Sequence, residues 1–282
     1  MFTQINTALP HRQPHPAVEV KERRHLAEGM NRLLTEPTAV ARPRRSRNAI
    51  LAHLPEEEYA KLAGALQPVA LTLGLELSQP EGVIEYAYFP ETGLISTDAL
   101  TCSGEMIEVD VVGREGFAGL PALYGQPQMC HAVAVQCAGH GHRIRASLLR
   151  EIFLEGGELR RVIHNFSYLQ LVQITQSVLC NRLHDVEARL ARWLLTSANR
   201  MESDNIYLTQ EFLAQMLGVQ RSTVTVAAGE LQRHGTIEYS RGKITILNRP
   251  LLKKAACECY EIVDSAYRRL LKHEEDGNLY YV

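Results

Sequence analysis

The sequence lacks long apolar runs, and it lacks an excess of charge of either sign. Its 282 residues include 30 lysines and arginines against 32 aspartates and glutamates, so the formal net charge is −2. No run of about 18 apolar residues occurs, so no membrane-spanning helix is predicted. The N-terminus has no apolar core of the kind that a signal peptide needs, and we therefore expect a cytoplasmic protein. Because no overall positive field exists, any contact with nucleic acid must rely on local basic patches.

The sequence also lacks the groups of residues that carry catalysis. It has no glycine-rich phosphate loop, and no paired carboxylates accompany a histidine in a coherent context, so we expect no enzyme. Its six cysteines are scattered without a compact framework, which is typical of free thiols in a reducing compartment. We accordingly expect no cofactor and no metal site.

A few histidines and cysteines offer alternatives to that expectation. His131, His140 and His142 lie in strand-like context, and the spacing of the last two places them on one strand face, where a metal or haem is one interpretation. The favoured interpretation is that these histidines lie at the surface or have hydrogen-bond partners within the core. Cys130 and Cys137 are candidates for a thiol switch. The favoured interpretation is that they are buried, inert thiols.

The chain is long enough for roughly two domains, preceded by an extension. Residues 1–47 are rich in proline, have little apolar periodicity and include the basic run 42–47. We predict a flexible basic extension there, with a short helix around residues 19–34. Such a tail would add nonspecific affinity for nucleic acid, and a solvated leader is the alternative.

The middle of the chain predicts a β domain followed by a long helix. Short β-like runs broken by glycine and proline indicate an antiparallel sandwich or jelly-roll barrel, with strands predicted over residues 69–77, 85–89, 94–99, 105–112, 132–137 and 141–145. Residues 106–111 alternate clearly, so these strands should have one wet face. Residues 158–183 then predict a helix that is apolar over more than one face. A helix that packs on its own barrel and on a second copy of itself has this character.

The most informative stretch is residues 209–246, which begins with two short helices joined by a glycine turn. Thr209 is a good N-cap for the first helix, and Gly218 ends it because glycine adopts the left-handed conformation easily. The second helix begins at about Gln220 and points Val224 and Leu231 inward. This arrangement is typical of a helix-turn-helix.

The second helix begins with polar side chains that suit no core. In a helix-turn-helix this turn enters the major groove of DNA, where Arg221 could bond a guanine edge in two places. Hydroxyl side chains beside it could hold phosphates with the help of the helix dipole. The residues predicted to contact DNA here are Thr209, Gln220, Arg221, Ser222, Thr223 and Thr225.

A β-hairpin is predicted directly after the second helix, over residues 236–247. It makes the unit a winged helix-turn-helix, with Arg241 and Lys243 at the wing tip near a phosphate backbone. A helical hairpin inside an enzyme is the alternative. From about residue 250 to 271 a single helix with a broad apolar face is predicted to pack across this unit or the dimer. Cys257 and Cys259 fall within that helix, where residues two apart point in different directions, so they are not expected to bind a metal.

The order of barrel, long helix and winged helix-turn-helix resembles the Crp/Fnr family of bacterial transcription regulators over roughly residues 48–248. The most specific matches are residues 208–224 and 113–121. The resemblance implies an α+β fold with a cyclic-nucleotide-binding-like jelly-roll at residues 48–155, a dimerisation helix at 156–184 and a winged helix-turn-helix at 185–249. A helical tail would follow at 250–282.

The same resemblance implies a function. Family members are cytoplasmic homodimers that bind a roughly palindromic DNA site and contact RNA polymerase. Arg221 falls on the family's base-reading arginine, whereas Ser222 and Val226 stand where the family has a glutamate and a second arginine. We therefore expect a preferred site that differs from that of the cyclic-AMP receptor protein.

The effector site departs from the family pattern. Cyclic-nucleotide binders use a Gly-Glu pair for the ribose and an Arg-Ser or Arg-Thr pair for the phosphate, and both pairs are altered here. The degenerate effector site comprises Gly119, Leu120, Cys130, His131 and Thr175. Without the arginine an enclosed phosphate would lose its charge-assisted bonds, so we expect no tight cyclic-AMP binding. Residues 1–101 contain no cysteine, so the N-terminal iron–sulfur cluster of the oxygen-sensing branch is not expected either.

Two hypotheses remain. In the first, the chain is a transcription regulator whose barrel senses an unknown small molecule, a redox signal or nothing. In the second, it is a ligand-binding or scaffolding protein that has kept the fold without reading DNA. Replacement of Arg221 distinguishes them, because only the first predicts weaker specific DNA binding.

Overall fold

A computed structural model of the chain describes residues 46–273, with side chains described as far as residue 269. The extension predicted for residues 1–47, with its helix around residues 19–34, lies outside the described residues except for Ser46 and Arg47. The elements of the N-terminal domain are α1 (Ala49–Ala52), α2 (Glu56–Ala63), β1 (Gln67–Leu71), β2 (Glu76–Ser78), β3 (Tyr86–Pro90), β4 (Leu94–Leu100), β5 (Met106–Val112), α3 (Leu120–Leu123), β6 (Ala132–Cys137), β7 (Gly139–Arg145) and α4 (Ala146–Glu155).

A long helix and the C-terminal elements complete the described chain. They are α5 (Gly157–Leu183), α6 (Val186–Met201), β8 (Asn205–Tyr207), α7 (Gln210–Leu217), α8 (Arg221–Arg233), β9 (Ile237–Ser240), β10 (Lys243–Ile246), α9 (Arg249–Ala255) and α10 (Cys259–His273). Among the described helices, none is both long enough and apolar enough to cross a membrane.

The N-terminal domain is built from two antiparallel sheets, with strand orders β1-β7-β3 and β2-β6-β4-β5. A third sheet, β8-β10-β9, belongs to the C-terminal part. The fold predicted from the sequence, an antiparallel β domain followed by a long helix and a winged helix-turn-helix, is therefore confirmed. The long helix begins at Gly157 and ends at Leu183, one residue longer than predicted.

Some details of the prediction were wrong. The single strand expected over residues 69–77 is two strands, β1 and β2, because Gly74 adopts a φ of +75° between them and turns the chain. The helix α4 and the three-residue strand β8 were not predicted at all. Strand β5 alternates in sequence, yet its residues are half-buried or buried along its whole length, so the expected wet face is covered.

The cover on β5 comes from the C-terminal part of the chain. One apolar cluster joins Leu94, Val111 and Cys137 of the sheets to Trp193 and Leu213 of the helices α6 and α7. A second cluster lies between the sheets and the helices α1, α4 and α5. The sheets and the helix-turn-helix thus share a core, which sets the position of the helix-turn-helix against the β domain.

Candidate nucleic-acid interface

Local interactions define the two helices of the helix-turn-helix. The hydroxyl of Thr209 accepts a hydrogen bond from the backbone N–H of Phe212, 3.2 Å away, and so caps α7. Gly218 ends α7 in the left-handed conformation with a φ of +60°. Gln220 precedes α8 in an extended conformation and makes no side-chain cap. The amide groups of the first turn of α8 therefore have no capping side chain from Gln220.

The side chains of α8 divide sharply between core and solvent. Val224 and Leu231 are fully buried, at 0 % exposure. Arg221, Ser222 and Thr223 are exposed at the opposite face of the first turn. This places polar side chains at one exposed helix end, beside the positive end of the helix dipole, which is the arrangement that binds anions and base edges.

Two of the predicted DNA contacts have partners inside the protein. Thr225 is exposed, and its Oγ1 lies 2.8 Å from Gln210 Oε1 and 3.0 Å from the carbonyl oxygen of Arg221. Thr209 is half-buried and serves as the cap of α7. Both side chains therefore hold the two helices in place, whatever contact they make with DNA.

The hairpin β9–β10 forms the wing. Ser240 pairs with Lys243 across a two-residue turn. Arg241 and Gly242 both have positive φ, +49° and +79°, as a type I′ turn requires. The side chains of Arg241 and Lys243 are exposed, so the wing presents two cations at and beside its tip. Strand β10 also pairs with β8, which ties the wing to the base of α7.

A polar group from the β domain lies beneath the helix-turn-helix. Trp193 Nε1 donates a hydrogen bond to Glu108 Oε1 over 3.1 Å, and Gln136 Nε2 donates to the other carboxyl oxygen. Burial, reinforced by the nearby Asp98 carboxylate, raises the pKa of Glu108 to about 8, although Arg192 and these hydrogen bonds oppose the shift. Glu108 is therefore mostly protonated at neutral pH.

A second buried network joins β5 to α5 and α6. Gln170 Nε2 and Gln173 Nε2 donate to the two carboxylate oxygens of Asp110 over 2.7 and 2.5 Å. Arg200 donates to Gln173 Oε1 and pairs with Glu115 at 3.1 Å. Burial raises the pKa of Asp110 to about 7 despite the opposing charge of Arg200. These bonds fix the long helix and α6 on the sheet.

The residues assigned to the degenerate effector site include no arginine. Gly119 has a φ of +111° and precedes α3, and Leu120 packs against the apolar cluster of the β domain. Cys130 is exposed and His131 is half-buried. Thr175 is exposed on α5 and donates its hydroxyl to the carbonyl of its own helix at Leu171. Their assignment as a degenerate effector site stays a prediction.

A cavity of about 420 Å³ lies elsewhere, between α1, α6 and α10. Its lining includes Arg47, Arg114, Arg200 and Arg268, together with Tyr267. Arg47 and Arg114 are already paired with Glu202, at 2.9 and 2.7 Å. The positive charge of this cavity is therefore largely compensated within the chain.

The sequence-based reasoning missed one cluster of side chains. The single helix predicted from about residue 250 to 271 was wrong, because Ala256 is extended and the chain forms two helices, α9 and α10. Cys257 thus lies between helices, and the argument from helical spacing does not apply to Cys257 and Cys259. Both approach Cys180 and His184 at the end of α5. Cys180 and His184 are four residues apart in sequence, but no local signal links them to the C-terminal cysteines.

Comparison with known proteins matches the C-terminal part of the chain to a domain family. Residues 188–255 match the Crp-like helix-turn-helix domain. The transcriptional regulator SdrP of Thermus thermophilus is 28 % identical over 180 residues, which cover 62 % of this chain and 86 % of the relative.

Solved structures show the same fold. A transcriptional regulator of the Crp/Fnr family from Thermus thermophilus superposes with a TM-score of 0.56 at 23 % identity, covering 67 % of this chain and 98 % of that one. FixK2 from Bradyrhizobium japonicum superposes with a TM-score of 0.57 at 16 % identity, covering 68 % and 98 %. As the resemblance in its sequence predicts, the chain contains a Crp-like helix-turn-helix domain and has the fold of transcriptional regulators of the Crp/Fnr family.

Proposed function

We propose that the protein is a homodimer that reads a roughly palindromic DNA site and thereby regulates transcription in the cytoplasm, in contact with RNA polymerase. The observation that carries this proposal is the exposed polar first turn of α8, where Arg221, Ser222 and Thr223 point away from the core. Exposed polar side chains of this kind match the hydrogen-bond donors that contact base edges and phosphates.

The wing supports the same function. Arg241 and Lys243 are exposed beside a rigid two-residue turn, where each can approach a phosphate of the backbone that flanks the groove. Contacts of this kind position a protein on DNA without reading its sequence. Thr209, Gln220 and Thr225 complete the proposed interface. Specificity would then come from Arg221, and the exposed Val226 would contribute apolar contact where the family has an arginine.

The homodimer is supported by an apolar stripe on α5. Tyr168, Leu171 and Val178 are 57, 62 and 67 % exposed, at spacings of three and seven residues that place them along one side of the helix. A helix in this position would not keep such a stripe in water, and pairing with the same helix of a second copy would cover it. A two-fold dimer would present two reading helices to successive half-sites.

The remaining assignments rest on the same proposal. The β domain at residues 48–155 would receive a signal other than cyclic AMP, because Leu120 and Cys130-His131 offer no carboxylate for a ribose and no arginine for a phosphate. The dimerisation helix would comprise residues 156–184, the winged helix-turn-helix residues 185–249 and the tail residues 250–282. No enzymatic activity is proposed.

Selection of bound duplexes from a random DNA pool tests the proposal, with the purified full-length protein and no added ligand. We expect enrichment of a palindrome whose half-sites lie about one helical turn apart. Arg221→Ala should weaken binding to the selected site by ~1–3 kcal/mol, roughly 5- to 150-fold.

Arg233→Ala is the matched control, because Arg233 is an exposed arginine at the opposite end of the same helix. It should bind the selected site like the wild type. If the pool yields no palindrome with or without cell extract, or if both variants bind like the wild type, α8 does not read DNA.

A further inference from the structure

Four potential metal ligands converge where the long helix meets the C-terminal tail. Cys180 lies in the last turn of α5, and His184 follows that helix directly in an extended conformation. Cys257 precedes α10, and Cys259 is its first residue. The ligand atoms of all four side chains lie within 4.8 Å of one another.

We propose that these four residues form a tetrahedral binding site for one Zn²⁺ ion. Zinc binds thiolate sulfur at about 2.3 Å and imidazole nitrogen at about 2.0–2.1 Å, so a tetrahedral site places two sulfurs about 3.8 Å apart and a sulfur and a nitrogen about 3.5 Å apart. In the structure Cys180 Sγ lies 3.5 Å from Cys257 Sγ. Cys259 Sγ lies 3.6 Å from His184 Nδ1. Both distances fit a single bound ion with only small adjustments.

The surroundings suit such a site. Cys180 and Cys259 are fully buried at 0 % exposure, so the ion would be shielded from water and from competing thiols. His184 directs Nδ1 toward the sulfurs and places Nε2 3.1 Å from Glu258 Oε1. A carboxylate that accepts a hydrogen bond from the second ring nitrogen fixes the tautomer of a metal-binding histidine. Cys257 and Cys259 thus each supply a ligand, and Glu258, which lies between them in sequence, orients His184.

The donor set selects among metals. Three thiolates and one imidazole are soft ligands, which disfavour Mg²⁺ and Ca²⁺ and suit Zn²⁺ in tetrahedral geometry. An iron–sulfur cluster needs ligands that reach separate iron atoms, whereas these four atoms are close enough to share one ion. The structural rival is a disulfide between Cys180 and Cys257.

The position of the site gives it a consequence for the fold. It joins the end of α5 to the start of α10 across the break at which Asp185 caps α6. Helix α10 packs against both α5 and α6, and Tyr260 accepts a hydrogen bond from Asn199 on α6. A bound ion would therefore clamp the tail onto the junction between the long helix and the helix-turn-helix.

Titration of the reduced, metal-free full-length protein with Co²⁺, followed by Zn²⁺, tests the proposal directly. We expect one Co²⁺ per chain with the absorption of tetrahedral thiolate coordination, its loss when Zn²⁺ displaces the Co²⁺, and a melting temperature that rises with Zn²⁺. Cys257→Ser and His184→Ala should lose most of this affinity, by tenfold or more. Cys102→Ser alters an exposed cysteine of the β domain and should bind like the wild type.

The proposal would be overturned if the folded, reduced protein gave no thiolate absorption with Co²⁺, or if Cys257→Ser and Cys259→Ser both bound the ion as well as the wild type. Peptide mapping that finds Cys180 and Cys257 in a disulfide, with no metal uptake after reduction, would also overturn it in favour of a thiol pair. None of these measurements involves DNA, so this outcome is independent of whether α8 reads a DNA site.

Discussion

Replacement of Glu108 by glutamine should stabilise the protein at neutral and alkaline pH. Its carboxyl group lies among Trp193, Gln136 and Asp98, and its pKa is raised from 4.5 to about 8, chiefly by burial. The folded state therefore holds a proton that the unfolded chain releases above pH 4.5. A raised carboxyl pKa means that this group does not oppose folding below pH 4.5, and that it progressively destabilises the fold as the pH rises toward 8.

The magnitude follows from the shift. Each pKa unit corresponds to 1.36 kcal/mol, so the penalty reaches about 3 kcal/mol at pH 7 and about 5 kcal/mol above pH 8. The substituted amide can still accept from Trp193 Nε1. Its NH₂ group can donate to the amide oxygen of Gln136, which has no hydrogen-bond partner in the described structure. Glu108→Gln should thus keep the fold and remove this part of the pH dependence.

Urea unfolding at pH 5, 6, 7 and 8 measures the effect through the midpoint and slope of each transition. We expect the difference in unfolding free energy between Glu108→Gln and the wild type to grow across this series. Asp110 titrates in both proteins, so its contribution cancels in that difference. Glu105→Gln, at an exposed carboxylate just before the same strand, serves as the control and should follow the wild type. Parallel curves for wild type and Glu108→Gln would show that Glu108 ionises as it does in water, and would refute the reasoning.

Three further predictions concern assembly, packing and DNA binding. Val178→Glu, which places a carboxylate in the exposed stripe of α5, should convert the proposed dimer to monomers in light scattering, whereas Leu154→Glu on α4 should not. Gly116→Ala should destabilise the fold by about 1–3 kcal/mol in urea unfolding, because the added Cβ would overlap the ring of Phe166. In the same assay Gly229→Ala, which has open space in α8, should stabilise the fold by up to about 1 kcal/mol. Arg241→Ala should weaken DNA binding equally for all sequences and reduce its salt dependence by about one ion, which filter binding at several salt concentrations would detect.

The sequence predicted best where structure is decided locally. Thr209 and Gly218 define α7 through contacts within a few residues, so caps and apolar spacing were sufficient. The turn of Arg241 and Gly242 is local in the same sense. The family resemblance added the order of the domains, which the local signals alone left open.

The failures involve contacts between distant segments. The covered face of β5 depends on α7, which lies about one hundred residues later in the chain, so alternation alone indicated solvent. Cys180 and Cys257 are 77 residues apart in sequence, and neither segment contains a local signal that predicts contact with the other. The break at Ala256 involves neither glycine nor proline, the two residues that usually mark a helix end. Strand β8 has only three residues, which is too few to show the alternation of apolar and polar residues that predicts a strand.

The apolar cluster shared by the sheets and the helix-turn-helix has a thermal consequence. Any movement that separates the two parts must expose Leu94, Val111 and Cys137 to water together with their partners on α6 and α7. Exposure of apolar surface carries a large positive heat-capacity change, so the balance between a joined and a separated arrangement depends on temperature. Hydrophobic contacts weaken on cooling, and the joined arrangement would loosen in the cold. A change of temperature should therefore shift the balance at this junction without any ligand.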